Sequence, residues 1–291
     1  MVSPRPMTWL ASAPAPLVIE RIVRVALEED VARGDVTSEA TVDASTTGRA
    51  VFAAREPLVL CGLAVIDAVF RLTAPDVRVI HRAKDGDRLE VGAVAAEVEG
   101  PARGILLGER VALNFVQRLS GVATQTRRYV DALPAGSRTR IADTRKTTPG
   151  LRALERWAVR CGGGHNHRDD LSSAVLIKDN HVAAAGGVKT AIERARAYAP
   201  HTSRVECEVD SFPQLEEALA AGADVILLDN FDDDAVARAI ELARGRAILE
   251  ASGGITLARI ASLGALGIDV ISSGALTHSA RAVDLGLDWV A

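Results

Sequence analysis

From residue 138 onward the chain alternates short apolar runs with helical patterns. The runs are RTRIAD, AVLIKD, RVECEVD, DVILLDN, RAILEASGG and IDVISSGA. Between them, apolar residues recur at helical spacing over 149–160, 186–199, 212–222, 232–243 and 256–266. Such alternation predicts parallel strands joined by right-handed crossovers. Six or seven consecutive units predict an α/β barrel, incomplete if a strand is missing, with a doubly wound sheet as the alternative.

Upstream the rhythm differs. Residues 101–133 read as one long helix, in which Leu107, Val111, Phe115, Leu119 and Val122 make an apolar face. Arg110, Asn114 and Gln117 fall on a flank of that helix, where solvent exposure is the plain explanation. Between Gly48 and Gly100 the texture is strand-like, in RAVFAAR, EPLVLCG, VRVIHR and AVAAEVEG, with the Asp-Gly signature of a tight hairpin in KDGD. Leu17 to about Arg33 reads as an amphipathic helix through Leu17, Ile22, Val25 and Ala26, stopping at Gly34.

Composition narrows the function. Of 291 residues 48% are hydrophobic but only 3% aromatic, so the core is built from aliphatic side chains. A mean hydropathy of +0.14, a net charge of −4 and a pI near 5.9 describe a globular chain without a broad nucleic-acid surface. Three widely spaced cysteines, Cys61, Cys161 and Cys207, suit reduced thiols in the cytoplasm. The start, with Pro4, Pro6, Pro14 and Pro16, carries no apolar stretch long enough for a signal peptide and is expected to fray. No run reaches the roughly 18 apolar residues of a membrane helix.

Each apolar run ends in chemistry. The ends are Asp143 with Arg145 and Lys146, then Lys178, Glu208, Asp229 with Asn230, Ser252 with Gly253 and Gly254, and Ser273 with Gly274. In an α/β barrel these positions share the rim where active sites are built. Two turns of small residues before helices, at EASGGI and ISSGAL, present amide N–H groups suited to phosphate, and His278 offers a further donor. Turn chemistry alone is the bland alternative, as is a surface histidine at 278. Arg145 and Arg168 present planar forks for carboxylates, while Lys146 and Lys178 are compact charges for phosphates. Gly162 to Gly164 would let backbone approach a ligand. A Schiff-base role for Lys178, as in an aldolase, fits such a cationic site less well than ionic binding. Glu208 and Asp229 either pair with Lys178 or serve Mg²⁺ and sugar hydroxyls. Glu206 shares a strand face with Glu208, which lies nearer the rim. No P-loop or Rossmann glycine motif is present.

EEDVARGDVTSEA, ERVALNFVQRLSGVAT, ADTRKTTPGLR, GGGHNHR, LIKDNH, VECEVD, LLDN, EASGGI and DVISSGALTHS together resemble quinolinate phosphoribosyltransferase, in that family's order and over nearly the whole chain. The resemblance implies an N-terminal α/β sandwich, residues 1–125, and a C-terminal incomplete α/β barrel, residues 126–291, whose last residues return to the first domain. It implies transfer of phosphoribose from phosphoribosyl pyrophosphate to quinolinate with Mg²⁺, yielding nicotinate mononucleotide, pyrophosphate and CO₂. The minimal unit implied is a homodimer, open to assembly as a hexamer.

Carried over by motif, Arg145, Lys146, Lys178, Glu208 and Asp229 are the catalytic set. Thr144, Arg145, His167, Arg168 and Lys178 hold quinolinate, with Arg110 from the neighbouring subunit. Lys146, Glu208, Asp229, Ser252, Gly253, Gly254, Ser273, Gly274 and His278 hold phosphoribosyl pyrophosphate, and Glu208 and Asp229 serve the metal, directly or through water and substrate. Ser173 stands where many relatives carry an acid, and Asp169 and Asp170 are expected to point away from the basic pocket. The rival readings are a same-fold enzyme with another acceptor, such as nicotinate, and a non-catalytic metabolite-binding barrel.

Overall fold

A computed structural model describes residues 12–290, so the expectation of a frayed start falls largely on residues 1–11, outside the described residues. Contacts group the chain into two units that interleave in sequence. The first comprises 12–127, Thr147–Gly163 and 275–290; the second comprises Arg128–Lys146 and Gly164–Gly274. Two later segments thus group with the first unit: Thr147–Gly163, which the expected cut at 125/126 puts in the barrel, and 275–290, the last residues, whose return to the first domain is part of the expectation.

The first unit opens with helix α1 (Pro16–Val31), which packs on α3 (Leu63–Thr73). Its buried stripe is Ile19, Val23 and Leu27, whereas Leu17 and Val25 are exposed, so the face differs from the one expected. A short α2 (Val36–Thr41) follows, capped by Asp35, whose carboxylate accepts the Ser38 N–H at 3.0 Å. Strands β1 (Thr47–Ala54), β3 (Arg78–His81) and β5 (Val94–Pro101) form an antiparallel sheet with β1 and β3 on either side of β5. A separate pair is made by β2 (Leu58–Val59) and β4 (Arg88–Leu89). KDGD therefore makes a turn, closed by the Asp87 N–H on the Lys84 carbonyl at 3.0 Å, but not a hairpin. It joins β3 to β4, which belong to different sheets. α4 (Ala102–Asp131) is continuous over 30 residues, with Val111, Phe115, Leu119 and Val122 buried and Arg110 exposed.

The second unit is the barrel-like one. Its strands are β6 (Arg140–Ala142), β7 (Val175–Ile177), β8 (Val205–Val209), β9 (Val225–Asp229), β10 (Ile248–Ser252) and β11 (Val270–Ser272). They pair in parallel in the order β6-β11-β10-β9-β8-β7. Read in a circle, that order is the chain order with a single break, between β6 and β7. The sheet is thus an α/β barrel left open at one seam, not a doubly wound sheet, whose order would reverse at a switch point. A parallel bridge from His165 to Ala142 adds a stub of chain at that seam.

The strands are joined through α5 (Arg152–Cys161), which groups with the first unit, and through α6 (Asp179–Ala185), α7 (Val188–Tyr198), α8 (Phe212–Ala220), α9 (Asp233–Ala243) and α10 (Leu257–Leu266). Ile226, Leu228, Cys207 and Ile271 are fully buried strand residues. Each large aliphatic side chain so buried contributes roughly 1.5–3 kcal/mol, which fixes the strand ends as a rigid rim. The chain ends in α11 (Ala275–His278) and β12 (Leu285–Val290), which pairs antiparallel with β1 from Arg49↔Val290 to Ala54↔Leu285. Among the described residues, no helix is long and apolar enough to cross a membrane.

Candidate active site

The carboxyl ends of the barrel strands enclose a cavity of 630 Å³. Among the residues singled out from sequence, it is lined by Thr144, Arg145 and Lys146 after β6, and by His167 and Arg168 from the GGGHNHR segment. Lys178 after β7, Glu208 of β8, Asp229 of β9, and Ser252 and Gly253 at the end of β10 complete the lining from that set. Five strand ends distant in sequence and one loop therefore converge, and Ser272 brings in the end of a sixth strand, β11.

The GGGHNHR segment is held by a buried acid. The Asp143 carboxylate accepts from the Asn166 amide at 2.6 Å and from the His167 N–H at 2.7 Å. Gly162 serves packing: a Cβ there would sit 2.4 Å from the Ala123 carbonyl oxygen, so this glycine admits α4 within its own unit. Asp169 and Asp170 are exposed, and Asp170 accepts from the backbone N–H groups of Ser172 and Ser173 at 2.9 Å each.

On the cationic side, Arg168 carries a guanidinium whose pKa is lowered by burial and then by the charge of Arg145, which places two like charges close together. Holding like charges together is costly and favours an anion between them. Opposite, Lys178 donates to Glu208 in a short ion pair. The Asn230 amide donates to Asp229 at 3.0 Å, and Asn230 itself adopts a φ of 58°. Gly253 packs against this corner with φ +79°; a Cβ there would stand 2.3 Å from the Asn230 Oδ1. Only glycine meets both demands.

Beneath the rim lies a group of side chains that sequence reasoning did not single out as a unit. His167 Nε2 lies 3.2 Å from Glu206 and 3.6 Å from Glu250, both acids being buried. Burial opposes charge on His167, but Glu206, Glu250 and Asp143 outweigh it and raise its pKa. Burial, then the charge of Glu206, pushes the Glu250 carboxyl up to about 7. His167 Nδ1 accepts the Arg168 N–H at 2.7 Å, so Nε2 carries the ring proton and points at the acids. Both ring nitrogens are thus engaged within the protein. The signal available in sequence was an acid inside an apolar run, at Glu206 in VECEV and at Glu250 in ILEAS.

Other residues singled out from sequence lie elsewhere. Ser273 is buried, with its N–H on the Ala142 carbonyl at 3.0 Å, and it is Ser272 that lines the cavity. Gly254 (φ +57°) and Gly274 sit in the turns after β10 and β11 without lining the cavity. Arg110 and His278 belong to the first unit; Arg110 lies on α4 with its side chain 60% exposed, 3.9 Å from Glu109, and His278 is exposed with Nδ1 2.7 Å from the Ser279 hydroxyl. In that unit, sequence reasoning missed Arg118 and Glu155. Buried Glu155 accepts from Arg118 Nη2 at 2.7 Å and from the Thr148 N–H at 2.9 Å, which ties the TTPG turn after Lys146 to α4 and α5.

An open α/β barrel with cations and paired acids at the carboxyl ends of its strands defines an enzyme-like site for a small polyanionic molecule. The comparisons specify it. Residues 35–120 match the model of the quinolinate phosphoribosyl transferase N-terminal domain, and residues 122–288 match that of its C-terminal domain. The chain is 43% identical over 272 residues to the probable carboxylating nicotinate-nucleotide pyrophosphorylase of Bacillus subtilis, covering 94% of this chain and 93% of that one. It is 46% identical over 274 residues to the corresponding Mycobacterium leprae protein, covering 91% and 95%. Its fold is similar to the crystal structure of NadC from Streptococcus pyogenes, with a TM-score of 0.91, 45% identity and coverage of 96% and 100%. The Francisella tularensis nicotinate-nucleotide pyrophosphorylase gives a TM-score of 0.92 at 37% identity, covering 97% and 99%. The chain belongs to the quinolinate phosphoribosyl transferase family.

Proposed function

We infer that this chain is a decarboxylating quinolinate phosphoribosyltransferase of de novo NAD biosynthesis. It transfers phosphoribose from phosphoribosyl pyrophosphate to quinolinate and releases nicotinate mononucleotide, pyrophosphate and CO₂. The observation that carries this reading is the convergence of Arg145, Arg168 and Lys178 with Glu208 and Asp229 in one cavity of a chain that matches both family domains.

Arg145, Arg168 and Lys178, with Thr144 beside them, hold the two acceptor carboxylates and orient the ring nitrogen towards the anomeric carbon. Lys146 and the turn at Ser252–Gly253, with Ser272 beside it in the same cavity, receive the phosphates. Glu208 and Asp229 sit on adjacent parallel strands, both facing the cavity, and offer only carboxylate oxygens, a hard donor set that fits Mg²⁺. They would hold it directly or through water and substrate, and when bound it neutralises charge on the pyrophosphate.

The nitrogen–carbon bond forms as the bond from the anomeric carbon to pyrophosphate breaks. Lys146 and the amide N–H groups receive the charge that builds on the leaving oxygen. The ring nitrogen is then cationic. The neighbouring carbon–carboxylate bond breaks, its electron pair stays on the ring carbon, CO₂ leaves and a proton takes its place.

Arg110, exposed on α4, is assigned to the site of a neighbouring subunit in a homodimer. Three buried free cysteines fit a reducing cytoplasm. The test is pyrophosphate release by the purified chain with phosphoribosyl pyrophosphate and Mg²⁺. Release that requires quinolinate, with stoichiometric CO₂, is the expected result; release with nicotinate instead, or none with either, refutes the assignment.

A further inference from the structure

The Glu206–His167–Glu250 group looks at first like a metal triad, since one ligand atom from each lies within 4.8 Å of the others. The hydrogen bond on Nδ1 argues otherwise. A metal on Nε2 needs that lone pair, hence a proton on Nδ1, but Nδ1 accepts the Arg168 N–H at 2.7 Å. The ring therefore donates from Nε2, into the carboxyl oxygens of Glu206 at 3.2 and 3.3 Å. Glu250 faces the same proton from the next but one strand. It is 4% exposed, and its Oε1, 3.6 Å from Nε2, has no hydrogen-bond partner among the described residues. A buried carboxyl oxygen left so is costly unless the geometry serves something else.

We propose that Glu250 is a positioning residue for acceptor binding: Glu206 accepts the Nε2–H of His167, the Glu250 carboxyl packs against the same edge of the ring from 3.6 Å and confines its orientation, and that ring fixes Arg168 through the amide donated to Nδ1. His167 then serves the pocket by aiming its neighbour rather than by offering a ring proton to substrate. Arg168 is fastened at its other end as well, where Nη1 donates to the Ala174 carbonyl at 3.1 Å. Its backbone, its guanidinium and the His167 ring thus form one rigid piece, braced from β8 and β10. The inference rests on the reading that Arg168 binds an acceptor carboxylate.

The test combines kinetics and ¹⁵N NMR on the full-length enzyme. Glu250→Ala is expected to raise KM for quinolinate about tenfold, with KM for phosphoribosyl pyrophosphate unchanged and kcat little affected, and Glu250→Gln to restore most of the loss. The wild-type His167 ring should show a protonated Nε2 and an unprotonated Nδ1. Equal effects on both substrates, or an unchanged quinolinate KM in folded Glu250→Ala, overturn the proposal. So does Zn²⁺ that binds the wild type, displaces the Nε2 proton and is lost in Glu250→Gln. Arg168→Ala separates the two levels: if it leaves the quinolinate KM unchanged, the site reading fails; if it raises KM while Glu250→Ala does not, only the positioning role fails.

Discussion

Arg145, Arg168 and Lys178 are the side chains on which the chemistry turns. Each comes from a segment ordered by something else: a strand end at β6, a loop held by Asp143, and the cap of α6. Arg145→Ala or Lys178→Ala should lower kcat/KM by about 100-fold or more, the loss typical of removing one preorganised donor, while circular dichroism and the melting temperature stay near wild type. Gly253→Ala should raise KM for phosphoribosyl pyrophosphate and destabilise by about 1–3 kcal/mol, because the positive φ and the nearby Asn230 leave no room for a Cβ. Glu250 adds a pH dependence. Its folded pKa, raised from 4.5 to about 7, means a stability contribution fully present below pH 4.5 and lost as pH rises through 7. Melting temperature should therefore fall between pH 5 and 8, and Glu250→Gln should flatten that fall by up to about 3 kcal/mol; a wild type whose stability is level across that range contradicts it. Arg145, Lys146 and Lys178 were legible in sequence because each closes an apolar run, and Arg168 because it sits in the glycine-rich GGGHNHR motif. The floor was not, because Glu206 and Glu250 find their partner in a loop that only the barrel brings to them.

At the scale of elements, the six strands and the helices α7 to α10 follow from the pattern almost residue by residue, since parallel strands buried on both faces read as short apolar runs. The failures have physical causes. α3 buries Leu63, Val65, Ile66, Ala68, Val69 and Phe70, and over its 11 residues the only charged positions on its polar side are Asp67 and Arg71, so its helical period is easily passed over within the strand-like texture around it. α1 holds enough aliphatic residues to support more than one stripe, and packing on α3 selects Ile19, Val23 and Leu27. The Asp-Gly turn of KDGD is local chemistry and carries no information about which sheet follows. α5 carries a prediction of its own. Glu155 is wholly buried and holds Arg118 and Thr148, and Arg118 in turn donates to the carbonyls of Thr277 and Ala280. Glu155→Ala should cost about 3 kcal/mol, the order expected when one member of a buried ion pair is removed, read as a lowered thermal midpoint; an unchanged midpoint would mean that the network is dispensable.

For the whole molecule, the two units interleave in sequence, and β12 returns to pair with β1. An exposed Arg110 on α4 has no evident use within one chain beyond its neighbour Glu109, and the homodimer proposed above gives it one. Mixing Arg110→Ala with Lys178→Ala protein should recover up to about a quarter of wild-type activity through hybrid dimers with one intact site, by mass action alone. No recovery despite proven subunit exchange would count against sharing. The central claim is that cations scattered over separate strand ends gather to receive one dicarboxylate. A crystal structure of the enzyme soaked with quinolinate tests it most directly. Both carboxylates are expected within hydrogen-bonding distance of Arg145, Arg168 and Lys178 inside the 630 Å³ cavity; quinolinate bound elsewhere, or with neither carboxylate on these three side chains, contradicts it.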